Sequence, residues 1–211
     1  MATFERKKIL FLAQFSVLLA IEAIVCFTPL GSLPALGPIV ATLSHVPVII
    51  TAIILGPAAG SLMGFFFGLF SFLVWTFIPP FAPIAFVFTP MVNAGVFQGN
   101  LWSLVICFVP RILIGLAAGG LFRLLANHSK CDYAVAALSG VLGTLANTLL
   151  VLGGIWLFFG RQYAQAAGFA YSTILAIIGG TILTSGIPEA FIGGLCGCAV
   201  ALPVKKTTQR A

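Results

Sequence analysis

Residues 101–126 read LWSLVICFVPRILIGLAAGGLFRLLA. From Leu101 to Phe122 the stretch carries one charge, Arg111, and it is longer than the roughly 20 residues with which a helix crosses the hydrocarbon core of a bilayer. It predicts a transmembrane helix, and five more apolar stretches flank it, at about 9–27, 39–55, 58–77, 133–159 and 171–202. Between the first two lies a Gly/Pro segment, 28–38, and Pro47 is expected to bend the helix that follows. Gly56-Pro57 makes a tight turn, and 78–100, with Pro79, Pro80, Pro83 and Pro90, is irregular. The expected fold is an all-α integral membrane protein: one domain over 1–211, a bundle of six transmembrane helices.

Composition says the same. Hydrophobic residues make up 61% of the chain and charged ones 7%, against about 45–50% and about 25% in soluble domains. The solvent for so much apolar surface is lipid. Orientation follows from the basic residues. With six spans, Arg6, Lys7, Lys8, Arg123, Lys130, Lys205, Lys206 and Arg210 share one side, which is eight of the ten. Both termini are therefore expected in the cytoplasm. An odd number of spans would put the two basic tails on opposite faces. Gly60, Gly64 and Gly68, then Gly115 and Gly119, then Gly193 and Gly197 recur every four residues, giving smooth stripes on which helices can approach closely. No internal repeat is apparent, so an inverted-repeat architecture has no support.

The chemistry available is sparse. The acidic residues are Glu5, Glu22, Asp132 and Glu189, and the histidines are His45 and His128. The five cysteines show no CxxC or Cys/His metal spacing and read as small buried hydrophobes. No metal and no cofactor is expected. There is no G-x-x-x-x-G-K-[ST], so this chain does not hold ATP in a P-loop. Ser139-Gly140 and Ser185-Gly186 have no evident intramembrane histidine partner, so no enzyme is expected. The positive charge sets orientation and implies no nucleic acid.

What remains are isolated polar groups in apolar helices, which usually face a cavity or one another. Arg111 follows Pro110 about ten residues into its helix, Asn147 lies at matching depth in the fifth, and Glu189 follows Pro188 in the sixth. Two readings stand open. Arg111 pairs with Glu22 or Glu189 and fixes the bundle, or it holds an anionic ligand with Asn147 supplying hydrogen bonds. Gly154, seven residues beyond Asn147 and so on the same face, would leave room for that ligand. Asn93, Gln98 and Asn100, on the 78–100 segment, would close over it as part of a lid. His45 beside Pro47 reads as a structural polar contact.

The run from Gly37-Pro38 through Ser44-His45-Val46-Pro47 to Leu55-Gly56-Pro57-Ala58-Ala59-Gly60 and Gly64 resembles the substrate-binding S components of energy-coupling factor (ECF) vitamin transporters. So do Pro110-Arg111-Ile112-Leu113-Ile114-Gly115, Asn147-Thr148 and Gly186-Ile187-Pro188-Glu189-Ala190. Within that family the pattern is most similar to the pantothenate-type S components.

The resemblance implies a six-helix protein in the plasma membrane of a prokaryote. It would capture a vitamin from outside, dock on a membrane T component driven by two ABC-type ATPases, and release the vitamin inside by toppling in the membrane. It also implies that an Arg in the fourth helix and an Asn in the fifth bind ligand, which here are Arg111 and Asn147. The small residues that S components carry on the first helix for docking are best matched by Ser16 and Ala20, with Ala13 and Ala23 nearby. Other ligands stay open: a hydroxymethylpyrimidine, a pyridoxine-like ring or cobalamin. So does a stand-alone secondary transporter, in which Glu22 and Glu189 would relay protons.

Overall fold

The computed structural model describes residues 2–28, 42–94, 97–126 and 131–204. The expected helix start at 39–41, the connection before it, loop residues 127–130 and the C-terminal basic tail lie outside them. The described chain is mostly helical, with irregular connections such as 42–45 and 78–81 and one short hairpin, Asn93–Ala94 paired antiparallel with Phe97–Gln98.

Five helical stretches are long and apolar enough to cross a membrane: Glu5–Phe27, Pro57–Phe77, Leu101–Ala126, Asp132–Ala166 and Tyr171–Val204. The first lies within α1 (Ala2–Phe27), and the next two are α3 (Pro57–Phe77) and α4 (Leu101–Ala126). The fourth joins α5 (Asp132–Gly154) to α6 (Gly160–Ala166) through a wider π turn, Ile155–Phe159. The fifth joins α7 (Ile174–Thr181) to α8 (Ile187–Cys196) through a second π turn, Ile182–Gly186, and ends in a third, Gly197–Ala201. Such one-turn widenings shift which side chains face inward.

The second helix differs from expectation. It begins at Val46, not near 39, and α2 (Val46–Leu55) has 10 residues, about 15 Å of rise. Pro47 stands in its first turn, where a proline lacks only an amide that had no partner, so it opens the helix and does not bend it. Thr42–His45 before it is irregular. Irregular backbone at membrane depth survives only when protein satisfies its polar groups. Here the Thr42 amide donates to Glu189 Oε1 at 2.6 Å, and the Val46 amide to the Leu43 oxygen at 3.0 Å. Gly56, with φ +99°, makes the turn into α3.

The glycine stripes set the helix spacing. A Cβ on Gly64 would collide with the main chain of Arg111 and Ile112, and one on Gly115 with that of Gly60. α3 therefore lies directly on α4. Gly140 of α5 meets the main chain of Gly193 on α8 in the same way.

Two apolar clusters result. One gathers Ile49, Ile53, Met63, Ile114 and Phe122; the other gathers Ile84, Phe86, Phe159, Tyr163 and Ile174. The second includes the segment between α3 and α4. That segment is pinned by Ser103 Oγ donating to the Phe86 oxygen at 2.7 Å and by the Thr76 and Thr89 hydroxyls 2.8 Å apart. Of the cysteines, Cys107 is buried, Cys26, Cys196 and Cys198 are half-buried, and Cys131 is exposed. Cys131 departs from the expected burial because it precedes α5 in a connection.

Candidate ligand-binding site

Members of both clusters line a cavity of about 160 Å³, a size that holds a small organic molecule in other proteins. α3 supplies Phe67, Ser71 and Trp75; α4 supplies Arg111; α5 supplies Asn147, Thr148, Val151 and Leu152; α8 supplies Glu189. Pro80, Phe81, Ile84 and Phe88 come from the 78–100 segment, and Thr42 and Ser44 from the approach to α2.

Arg111 is 7% exposed. Its Nη1 donates to the Ile106 oxygen at 2.8 Å, and its guanidinium carbon stands 5.5 Å from the ring centroids of both Phe67 and Phe88. Phe88 in turn stacks on Trp75 at 4.6 Å. Nε has no hydrogen-bond partner. Among the described residues the one ion pair joins Lys8 and Glu5. Arg111 is thus oriented by a carbonyl and two aromatic faces, and the expected pairing with Glu22 or Glu189 is not formed. A buried cation without a counter-ion is costly, and aromatic faces recover only about 0.5–2 kcal/mol each.

Both carboxylates accept hydrogen bonds elsewhere, Glu22 through one oxygen only. Glu189 accepts from the Thr42 amide and, at 3.5 Å, from the Thr148 hydroxyl, tying α8 to α5 and to the approach of α2. Glu22 is fully buried on α1; its Oε1 accepts from Cys26 Sγ at 3.2 Å, and its Oε2 has no partner. Asn147 Oδ1, on the cavity wall, is likewise buried without a partner. The cavity therefore offers an unused donor on Arg111 and an unused acceptor on Asn147. His45 is fully buried against the main chain of Thr42 and Glu189 without reaching hydrogen-bond geometry. Among the described residues no three of His, Cys, Asp and Glu gather to hold a metal.

Three expected site residues lie elsewhere. Gln98 is exposed and paired in the hairpin. Asn100 starts α4, its Oδ1 accepting from the Trp102 amide at 2.9 Å. Gly154 faces Ile106 of α4, outside the cavity. At 3.6 residues per turn the cavity-facing residues 147, 148, 151, 152 and 155 span about 140°. Asn147 is at the edge of that arc, and Gly154 falls about 20° beyond it. Asn93 pairs through its main chain with Gln98; its side chain lies outside the described residues.

Residues 10–201 match the family described as ECF transporter, substrate-specific component. The chain belongs to this family. It is 36% identical over 160 residues to the pantothenic acid transporter PanT of Lactococcus lactis subsp. cremoris (strain MG1363), covering 72% of this chain and 78% of that protein. As an ECF substrate-specific component it is a multi-pass membrane protein and a transporter subunit, not an enzyme, and membership implies association with an ECF energising module.

The sequence left parts of this component's cavity unnoticed. Phe67 and Phe88 flank the guanidinium, Trp75 stacks behind Phe88, and Thr42, Ser71 and Ser185 add hydroxyls to the wall. Phe67 could have been found, since it stands three residues beyond Gly64, which touches the Arg111 main chain. Phe88 could not, because the irregular segment that carries it has no period to follow.

Proposed function

We propose that this substrate-specific component captures pantothenate in the cavity beside Arg111. The buried guanidinium carries the reading: it has an unused Nε and no carboxylate within ion-pair distance among the described residues. Pantothenate has one carboxylate, an amide and two hydroxyls. The carboxylate suits the planar donor fork of arginine, and the amide and hydroxyls suit Asn147, which both donates and accepts. Glu189 frames the wall and keeps Thr42 and Thr148 in place. The 80–88 stretch covers the ligand. The 36% identity to a protein named as a pantothenic acid transporter supports the same ligand.

In the membrane, α2 and the approach to it complete a second crossing, giving six in the plasma membrane of a prokaryote with both termini cytoplasmic. A T component and two ABC-type ATPases supply the energy. The exposed α1 face carrying Ser16 and Ala20 meets the T component.

The test is to purify the chain, identify by mass spectrometry what accompanies it, and titrate the stripped protein with pantothenate and with pyridoxine. Tight binding of pantothenate alone supports the reading. Tight binding of pyridoxine without pantothenate overturns it.

A further inference from the structure

A second concavity lies on the outer surface of α4 and α5, away from the vitamin cavity. Leu149, Gly153, Gly154, Trp156, Leu157 and Phe158 line it on one side, and it is almost wholly apolar. Gly153 opens it, for a Cβ there would meet nothing within 4 Å.

Its length and its ends identify the occupant. The lining on this side runs from Leu149 to Phe158, about 13 Å at roughly 1.5 Å per residue, close to the roughly 15 Å of one leaflet, half of the ~30 Å hydrocarbon core. Aromatic rings gather at one end. Trp102 stacks on Phe158 at 4.1 Å, and Trp156 and Tyr171 both pack over Gly160. Trp and Tyr collect where a membrane meets water. Arg161, exposed, lies over Tyr171 at 5.6 Å, with no carboxylate in ion-pair distance among the described residues. Arg161 thus follows Phe158, the last groove residue on this side, by three positions, beside the aromatic rings.

We infer that this groove holds a phospholipid with an anionic headgroup, one acyl chain lying along α4 and α5 and the phosphate on Arg161. Lipid tails are as apolar as the groove, so burial alone does not choose among lipids of equal chain length. Headgroup charge does, through a guanidinium that matches phosphate geometry.

The full chain is purified in detergent and given equal amounts of dioleoyl phosphatidylglycerol and dioleoyl phosphatidylcholine, and the retained lipid is counted by native mass spectrometry. The wild type is expected to keep one lipid and to favour phosphatidylglycerol about fivefold, the usual effect of one basic residue at an anionic surface. Arg161→Gln should bring the ratio to about one. Gly153→Leu, which fills the groove where there is space, should lower retention of both lipids, and Arg123→Gln should change nothing. Equal retention of the two lipids by the wild type overturns the assignment, as does a preference that survives Arg161→Gln or follows Arg123.

Discussion

Nη1 of Arg111 donates to the main-chain oxygen of Ile106 at 2.8 Å. In an unbroken helix that oxygen would accept the amide of residue 110, but residue 110 is proline and has none. The proline frees the acceptor and the next residue's side chain takes it, which aims the guanidinium back along α4. Pro110-Arg111 is therefore one device.

Restoring the amide should undo it. In Pro110→Ala the new amide competes for the Ile106 oxygen and the guanidinium loses its anchor. An interior proline costs a soluble helix about 3 kcal/mol, and membrane helices recover part of that. Thermal melting is expected to show a more stable empty protein. Calorimetry should show pantothenate bound about fivefold more weakly, about 1 kcal/mol, the net worth of one hydrogen bond. Unchanged affinity would separate the Ile106 bond from ligand binding.

Asn147 should show the same opposition of stability and function. Its Oδ1 is buried without a partner, a condition that costs about 1–3 kcal/mol. Asn147→Leu is expected to stabilise the empty protein by about 1 kcal/mol and to weaken pantothenate at least about tenfold. Melting curves with and without ligand report both. A variant that binds as well as the wild type rules Asn147 out as a ligand contact.

These two residues show how much was legible. Arg111 and Asn147 stood out because a polar group in an apolar helix needs a reason, and both line the cavity. Long apolar runs marked the membrane helices, and four-residue glycine spacing marked the α3–α4 contact. The start of α2 was misplaced because hydropathy does not distinguish helix from irregular backbone at membrane depth. The bond from the Thr42 amide to Glu189, which makes that backbone tolerable, joins residues 147 apart in the chain. Gly154 failed on a 20° error in helical phase, and Phe88 had no phase to read.

The outer face of α1 should carry docking and not ligand. Ser16 and Ala20 are both exposed, one turn apart, so a large side chain there meets no part of this chain's core. Ala20→Trp is expected to leave pantothenate binding unchanged and to prevent co-purification with the T component and its ATPases. Normal assembly of the variant would move the docking surface off this face.

Cys131 gives a direct reading of orientation. It is the exposed cysteine among the five, the others being buried or half-buried, and it follows the basic end of α4 that carries Arg123. An impermeant maleimide is expected to leave it unlabelled in intact cells and to label it after permeabilisation, with Cys131→Ser as control. Labelling from outside would invert the topology.

The carboxylate anchor can be isolated by changing one group on each partner. Lysine at 111 keeps the charge but loses the planar fork, the reach to Ile106 and the flat faces that Phe67 and Phe88 grip. A charge-assisted hydrogen bond is worth about 1.5–3 kcal/mol, so Arg111→Lys should weaken pantothenate by about 10- to 150-fold. The alcohol analogue lacks the carboxylate. It should bind the wild type poorly and be nearly indifferent to the substitution, because the group that Arg111 serves is already gone. Calorimetry on the four combinations yields a coupling energy that general damage to the cavity cannot mimic, since damage would weaken acid and alcohol alike. Equal binding of acid and alcohol by the wild type would sink the anchor, leaving Arg111 a structural cation between two rings.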